Sequence, residues 1–460
     1  MLSKKISIKT FVLIIIASML LASYLLSRSF YGDLYSKSII CLVCTIMCFS
    51  MLLFNEKTLI SPYLLFFYSF CIFQAGQFYL YALNIDYDYL FTHPFYSQYC
   101  SIDNMLEICD FTTCGIIVAT IAGLVTTKTY NNGIANTAEF EFEKDMYVKV
   151  YKFLFLIGVP ASFLYHSIQA FFAIVFGFDS IRGSLIQSIP GFNILNRLDM
   201  LFIPAVVLGW MIYLNDRDKQ KRIELLIIIH AMISLIVGVR TIGLGEILML
   251  LYMRSKIKKD KKTNYLAIAI SFVAIMALST FVAYNRSAKS LDIVSLLTAG
   301  IIGFIGECGF SLFPLMVICQ GISSGTVVLS KGFTYFASVL GFFPTFLDPT
   351  GFLDSLTYYS TESWLYDRVG FDFGIGFSLL GEAYYNFQWF GLLSLFVVCI
   401  IVGKVLYRKG NGTFFSSYVS FVMLFAVLTL PRRTSFSLFN YLFYFVFLVW
   451  FLRRVEFKKG

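Results

Sequence analysis

The sequence predicts an all-α fold: a polytopic integral membrane helical bundle of about 11–12 transmembrane helices, with one large external loop carrying interfacial helices. Three observations carry this. Of 460 residues, 58% are hydrophobic and only 14% charged, against about 25% charged in ordinary soluble domains. The mean hydropathy of +0.77 is more apolar than a water-facing fold can hide. Apolar runs also recur along the whole chain, and since about 20 apolar residues cross a bilayer, this length has room for about a dozen crossings. A soluble globular protein is excluded, and the net charge of +9 reads as topology rather than nucleic-acid binding.

The runs fall at 10–27, 38–54, 58–82, 105–126, 150–175, 198–214, 223–238, 241–253, 264–284, 388–407, 413–430 and 435–452. Phe11 to Leu26 follows Lys4, Lys5 and Lys9 as a signal peptide would, but no small-residue cleavage site follows, so it is expected to be a retained span. Cys41, Cys44 and Cys48 sit at helical spacing inside the second run and read as small packing residues rather than a zinc or disulfide framework. With the N-terminus inside, the lysine-rich connections at 127–149, Asp216 to Arg222, Arg254 to Lys262 and the tail from Arg453 fall on the cytoplasmic side. The segment Asn84 to Asn104, acidic and free of Lys and Arg, falls outside. Both termini are expected in the cytoplasm. The basic loops around Lys219 and Lys258 share a side although about 31 residues separate them, too few for two full crossings. A short hairpin or re-entrant pair turning at Gly238 to Thr241 fits this best and puts Arg240 and Glu246 near or within the membrane; the alternative is a single long tilted helix with Arg240 snorkelling.

Three regions follow: an N-terminal membrane bundle over 1–284 including that hairpin near 223–253, a large outer segment over 285–387, and C-terminal spans over 388–460. The outer segment is not conventionally soluble. Its stretches 291–320 and 332–347 are rich in Leu, Ile, Phe and Gly and are expected to lie as interfacial or re-entrant helices, punctuated by Pro314, Pro344 and Pro349. Loops of this length without a role are uncommon.

Arginine on the outer side is the exception to the positive-inside rule, and Arg182, Arg197, Arg240, Arg286, Arg368, Arg432 and Arg433 all map there. Guanidinium binds phosphate oxygens through a bidentate fork, so several of them around an outward cavity suit a diphosphate-bearing lipid. Glu307, in Gly306-Glu307-Cys308-Gly309, and Glu382, in Gly381-Glu382-Ala383-Tyr384-Tyr385-Asn386-Phe387, are carboxylates in apolar surroundings, suited to pairing an arginine or accepting a proton. Aromatic residues including Tyr358, Trp364, Tyr384, Tyr385 and Trp389 crowd the same region, as in an interfacial belt or a sugar-binding cleft. The three histidines, His93, His166 and His230, are dispersed without carboxylate spacing and do not read as a metal site, so a metal-free reaction is expected. Gly374-x-Gly376 lacks the strand–helix setting of a nucleotide loop.

Several short patterns then occur in one order: Gly238-x-Arg240, Tyr284-Asn285-Arg286, Glu307-x-Gly309-x-Ser311-x-x-Pro314, Gly332-x-Thr334-Tyr335, and Gly376-x-Ser378-x-x-x-Glu382-Ala383-Tyr384-x-Asn386-Phe387. Together they resemble the bacterial oligosaccharide repeat-unit polymerases, the Wzy-type O-antigen polymerases, over the half of the chain from residue 235 onward. Gln388 stands where that pattern commonly continues with glycine, which leaves the local turn open. The resemblance implies a glycosyltransferase in the bacterial inner membrane that works at the periplasmic face. It moves a growing glycan from undecaprenyl diphosphate onto another lipid-linked repeat unit, without cofactor. On that reading Glu382, Glu307, Arg240 and Arg286 are the candidate catalytic residues, with Glu307 or Glu382 accepting the acceptor's hydroxyl proton and Arg240, Arg286 and Arg433 holding the departing diphosphate. Arg432, Arg433, Tyr335, Tyr384, Tyr385 and Asn386 are the candidate substrate-binding residues. The implied partners are an undecaprenyl-diphosphate-linked oligosaccharide and membrane lipid, with a chain-length regulator left open and no nucleic acid.

Three other readings compete. An O-antigen ligase shares the carrier and the large outer loop, and the ordered motifs favour the polymerase over it. A flippase of lipid-linked sugar would show two similar halves and short loops, whereas this chain is lopsided around one long segment. A non-catalytic assembly subunit would leave the named Arg and Glu residues scattered.

Overall fold

A computed structural model describes residues 7–30, 32–85, 90–92, 97–127, 137–176, 186, 189–237, 239–257, 293–340, 376–407 and 413–457, with 352, 355–356, 358 and 364–365 besides. The described residues form helices and contain no strand. In order these are α1 (Ile8–Ser27), α2 (Leu34–Glu56), α3 (Pro62–Ala82), α4 (Ile102–Thr126), α5 (Thr137–Phe176), α6 (Phe192–Asp199), α7 (Phe202–Ile212), α8 (Arg217–Val237), α9 (Arg240–Ile257), α10 (Ile293–Gly309), α11 (Phe313–Ser323), α12 (Phe333–Leu340), α13 (Leu379–Phe387), α14 (Gly391–Leu406), α15 (Phe414–Thr429), α16 (Ser435–Tyr441) and α17 (Leu448–Phe457). Among the described residues, ten helical stretches are long and apolar enough to cross a membrane. The chain is therefore a polytopic helical membrane protein. The apolar run 264–284 lies outside the described residues.

The sequence reading expects 291–320 as interfacial or re-entrant. There α10, a short 3-10 turn and α11 follow without a break, and Gly300–Ser323 is 24 residues long and apolar enough to span. The glycines and Pro314 that suggested interruption are absorbed: Pro314 sits in the first turn of α11, where a missing N–H costs nothing.

The chain divides into two compact units. The first comprises 1–130, 302–407 and 430–437; the second comprises 131–301, 408–429 and 438–460. In the first unit α4 is the central helix, with α1, α2, α3 and α14 packed on it. Helix starts are set by hydroxyl and carboxylate side chains that accept an otherwise orphaned N–H: Ser7 for α1, Asp33 for α2, Ser61 for α3, Ser101 for α4 and Ser378 for α13. Cys41, Cys44 and Cys48 line the buried face of α2. A buried ion pair ties three helices together: Lys37 Nζ lies 2.5 Å from Asp110 Oδ2, and Tyr24 Oη donates to Asp110 Oδ1 at 2.7 Å. In a low-dielectric interior neither charge is tolerable alone, so each fixes the other.

Helix α3 meets the 302–309 portion of α10 almost backbone to backbone. A Cβ built on Gly76 would lie 2.8 Å from the Ile305 carbonyl oxygen, and one on Gly309 would lie 2.6 Å from the Gln77 nitrogen. Small residues at a crossing are how membrane helices gain contact without a hydrophobic drive.

In the second unit α5 packs on α6, α7 and α8, while α9 packs on α8 and α15. Two glycines set these distances. Gly158 of α5 would clash through a Cβ with the Leu201 backbone at 2.8 Å, and Gly243 of α9 with the Ala231 carbonyl oxygen at 2.7 Å. Helix α8 stops at Val237 and α9 begins at Arg240, so the two run as neighbours on either side of a short break. At its charged end Glu224 accepts from Trp210 Nε1 at 3.1 Å and pairs with Arg254.

Candidate functional site

Two motifs of the first unit, Gly332-x-Thr334 and Gly376 to Phe387, meet at α13. Ser378 begins the helix, accepting from the Gly381 N–H at 3.1 Å while its own hydroxyl donates to Gln74 Oε1 at 2.6 Å. One helical turn separates Glu382 from Asn386, so both face the same neighbours. Glu382 is completely buried. Its Oε1 accepts from Thr334 Oγ1 at 3.1 Å and Ser435 Oγ at 2.7 Å, and its Oε2 accepts from the Ser435 backbone N–H at 2.7 Å. Asn386 donates to Thr334 Oγ1 at 2.6 Å and to the Glu382 carbonyl at 2.7 Å, and its Oδ1 accepts from the Gly332 N–H at 2.9 Å. The Gly332-x-Thr334 and Glu382-to-Asn386 patterns, about fifty residues apart in the chain, are thus one hydrogen-bonded cluster.

This cluster holds the turn that carries Arg432 and Arg433. Ser435 is fixed by Glu382, the Pro431 carbonyl accepts from Gln74 Nε2 at 2.5 Å, and the Arg432 carbonyl accepts from the Phe377 N–H at 3.3 Å. Gly376 lies against the Arg432 side chain, since a Cβ built on it would stand 3.3 Å from Arg432 Nε. Both arginines are half-buried. The backbone that carries both arginines is thus held at three points.

The other expected residues divide. Glu307 is half-buried on α10, in the helix that α3 fixes through Gly76. Tyr335 is half-buried, its hydroxyl 3.0 Å from Ser394 Oγ and its ring stacked on Phe387. Tyr385, also half-buried, stacks on Trp364 with centroids 4.6 Å apart. Tyr384 instead points inward: it is 3% exposed and donates to Glu107 at 2.7 Å, beside the Trp389 Nε1 that donates to the same oxygen at 2.9 Å. Arg240 begins α9 in the second unit. Arg286, the Tyr284-Asn285-Arg286 pattern, Arg182, Arg368 and His93 lie outside the described residues.

Two of the motifs meet in this cluster, and the order of all of them along the chain coincides with a family match. A family model described as O-antigen polysaccharide polymerase Wzy matches residues 8–459. The chain belongs to that family. No curated protein and no solved structure matches it. In this Wzy-family chain the match takes in the N-terminal half as well, where the sequence patterns carried only hydropathy.

The second unit holds a cluster that the sequence reading missed. His166 and His230, expected to stay dispersed, have ring centroids 4.7 Å apart, and one ligand atom from each of them and one from Asp199 all lie within 4.8 Å of one another. The separation of 64 positions hid the pair. A signal was present: His230 and Glu246 stand almost equally far from the break between α8 and α9, and Ser162 stands one turn before His166. His230 Nδ1 is 2.8 Å from Glu246 Oε1, and His230 Nε2 is 2.7 Å from Ser162 Oγ, which also hydrogen-bonds Asp199.

Proposed function

We propose that the chain extends O-antigen by moving a glycan from undecaprenyl diphosphate onto the nonreducing end of another lipid-linked repeat unit, at the periplasmic face of the bacterial inner membrane. Membership of the Wzy family supports a polymerase role in O-antigen synthesis. The observation that carries the chemical reading is the Arg432–Arg433 turn, held by Glu382, Gln74 and Phe377. In this reading the acceptor hydroxyl oxygen attacks the anomeric carbon of the donor glycan. The bond from that carbon to the phosphate oxygen breaks, the electron pair leaves on the diphosphate, and the hydroxyl proton passes to a carboxylate. Arg432 and Arg433 stabilise the charge that grows on the leaving diphosphate. The diphosphate stores the activation, so the transfer step draws on no metal, nucleotide or redox cofactor.

The fully hydrogen-bonded cage around Glu382 favours a positioning role for that carboxylate, and Glu307, half-buried on its own helix, is the better proton acceptor. Tyr335 and Tyr385 offer half-buried aromatic faces to sugar rings.

The test is a clean deletion complemented by wild type and by Arg432→Ala, Arg433→Ala and Glu307→Gln, with surface lipopolysaccharide resolved on a gel and membrane abundance followed by immunoblot. Core bearing one repeat unit in the deletion, with the ladder restored only by wild type, is the expected result. Bare core in the deletion overturns the polymerase reading and points to ligation, flipping or an earlier step. A full ladder from both arginine variants overturns the clamp.

A further inference from the structure

We propose that His166, Asp199 and His230 form a binding site for one divalent transition-metal ion, with zinc the best chemical match, which fastens α5, α6 and α8 together. The inference concerns the second unit and does not depend on the glycan-transfer reading.

Four observations carry it. The three ligand atoms, two imidazole nitrogens and a carboxylate oxygen, lie within 4.8 Å of one another, and His166 Nε2 is 3.5 Å from Asp199 Oδ1. His166 is 1% exposed, yet neither ring nitrogen makes a hydrogen bond among the described residues; a buried polar group in that state is costly unless something ligates it. His230 is oriented as metal-bound histidines are, with Nδ1 on the Glu246 carboxylate at 2.8 Å and Nε2 turned toward Ser162 and Asp199. Its ring is held flat against Phe202, with centroids 4.0 Å apart. Finally, the Asp199 side chain is 17% exposed while the histidines are sealed, which leaves one side from which an ion and a fourth ligand can enter.

The donor set selects the metal. Two nitrogens with one oxygen suit zinc, or cobalt and nickel, whereas magnesium and calcium take oxygen ligands. Ser162 Oγ bridges His230 and Asp199, so its hydroxyl holds the two ligands in register and must turn aside as the ion binds. The ligands come from three helices, so metal binding adds directly to the stability of the folded unit.

The experiment uses the full-length chain in detergent, stripped with a chelator and dialysed against zinc, with bound metal counted by plasma mass spectrometry. Cobalt substitution is followed by visible absorption, and thermal unfolding is recorded with and without zinc. Wild type is expected to retain about one zinc per chain, to show a cobalt ligand-field band and to melt higher with zinc. Ser162→Ala is expected to bind as well as wild type, His166→Asn and His230→Asn to lose the metal, and Glu246→Gln to bind about 10–100-fold more weakly. Zinc bound equally by wild type and His166→Asn overturns the proposal and leaves a buried hydrogen-bonded cluster closed by water. Where a histidine variant does not fold, the wild-type cobalt spectrum decides, and absence of the band overturns the site.

Discussion

Glu382 grips Ser435 at two points, one carboxylate oxygen on its backbone N–H and the other on its hydroxyl, each at 2.7 Å. Hydroxyls rotate and can accept as well as donate, so an amide fits this cage with its oxygen on the Ser435 N–H and its nitrogen toward the hydroxyls. Glu382→Gln is therefore expected to fold and to keep a polymer ladder, because an amide positions as a carboxylate does but takes no proton. Glu382→Ala leaves the Ser435 N–H bare and is expected to cost about 3 kcal/mol and to lose the ladder. Complementation gels on both variants, with thermal melts in detergent, check this; a Gln variant that folds normally but is inactive would return Glu382 to the role of base.

Lys37 and Asp110 make a second test, of the fold alone. Lys37→Met strands a buried carboxylate and is expected to destabilise by about 3–5 kcal/mol, whereas the double substitution Lys37→Met with Asp110→Leu should recover most of that loss. Unfolding of the two variants in detergent measures the difference.

Gln388 sits at φ +50° and ψ −128°, a backbone region that glycine occupies without strain. Gln388→Gly is expected to stabilise by about 1 kcal/mol. A melting temperature at or below wild type would show that the Gln388 side chain makes contacts worth more than the strain.

Gly243→Ala introduces a Cβ 2.7 Å from the Ala231 carbonyl oxygen. Forcing α8 from α9 is expected to cost about 1–3 kcal/mol, read as a lower melting temperature, and to loosen the His230–Glu246 pair, read as weaker zinc retention.

The fold class was legible because burial in lipid demands long apolar helices and little else, a requirement written residue by residue. The motif around Glu382 was legible for a similar local reason: Glu382 and Asn386 share a helix face, and Gly332 and Thr334 stand in one of the patterns that carry the family resemblance. What could not be read was direction and depth. Tyr384 and Tyr385 are neighbours of identical type, yet one is turned onto Glu107 and the other onto Trp364. The meeting of His166 with His230, and of Lys37 with Asp110, depends on which helices pack together, and the apolar periodicity of a membrane chain scarcely records that. Pro314 is accommodated locally in the first turn of α11, whereas Gly309 reads as an interruption because the contact that explains it comes from α3, far away in sequence.

That same helix has a mechanical consequence. Through Gln74 it holds the backbone beneath the arginine turn, and through Gly76, a little over half a turn on, it bears against the segment that carries Glu307. Helix α3 is thus a shared footing: two positions only two residues apart carry the backbone of the arginine turn and the helix that bears Glu307, so a change of side chain at either position is felt by both.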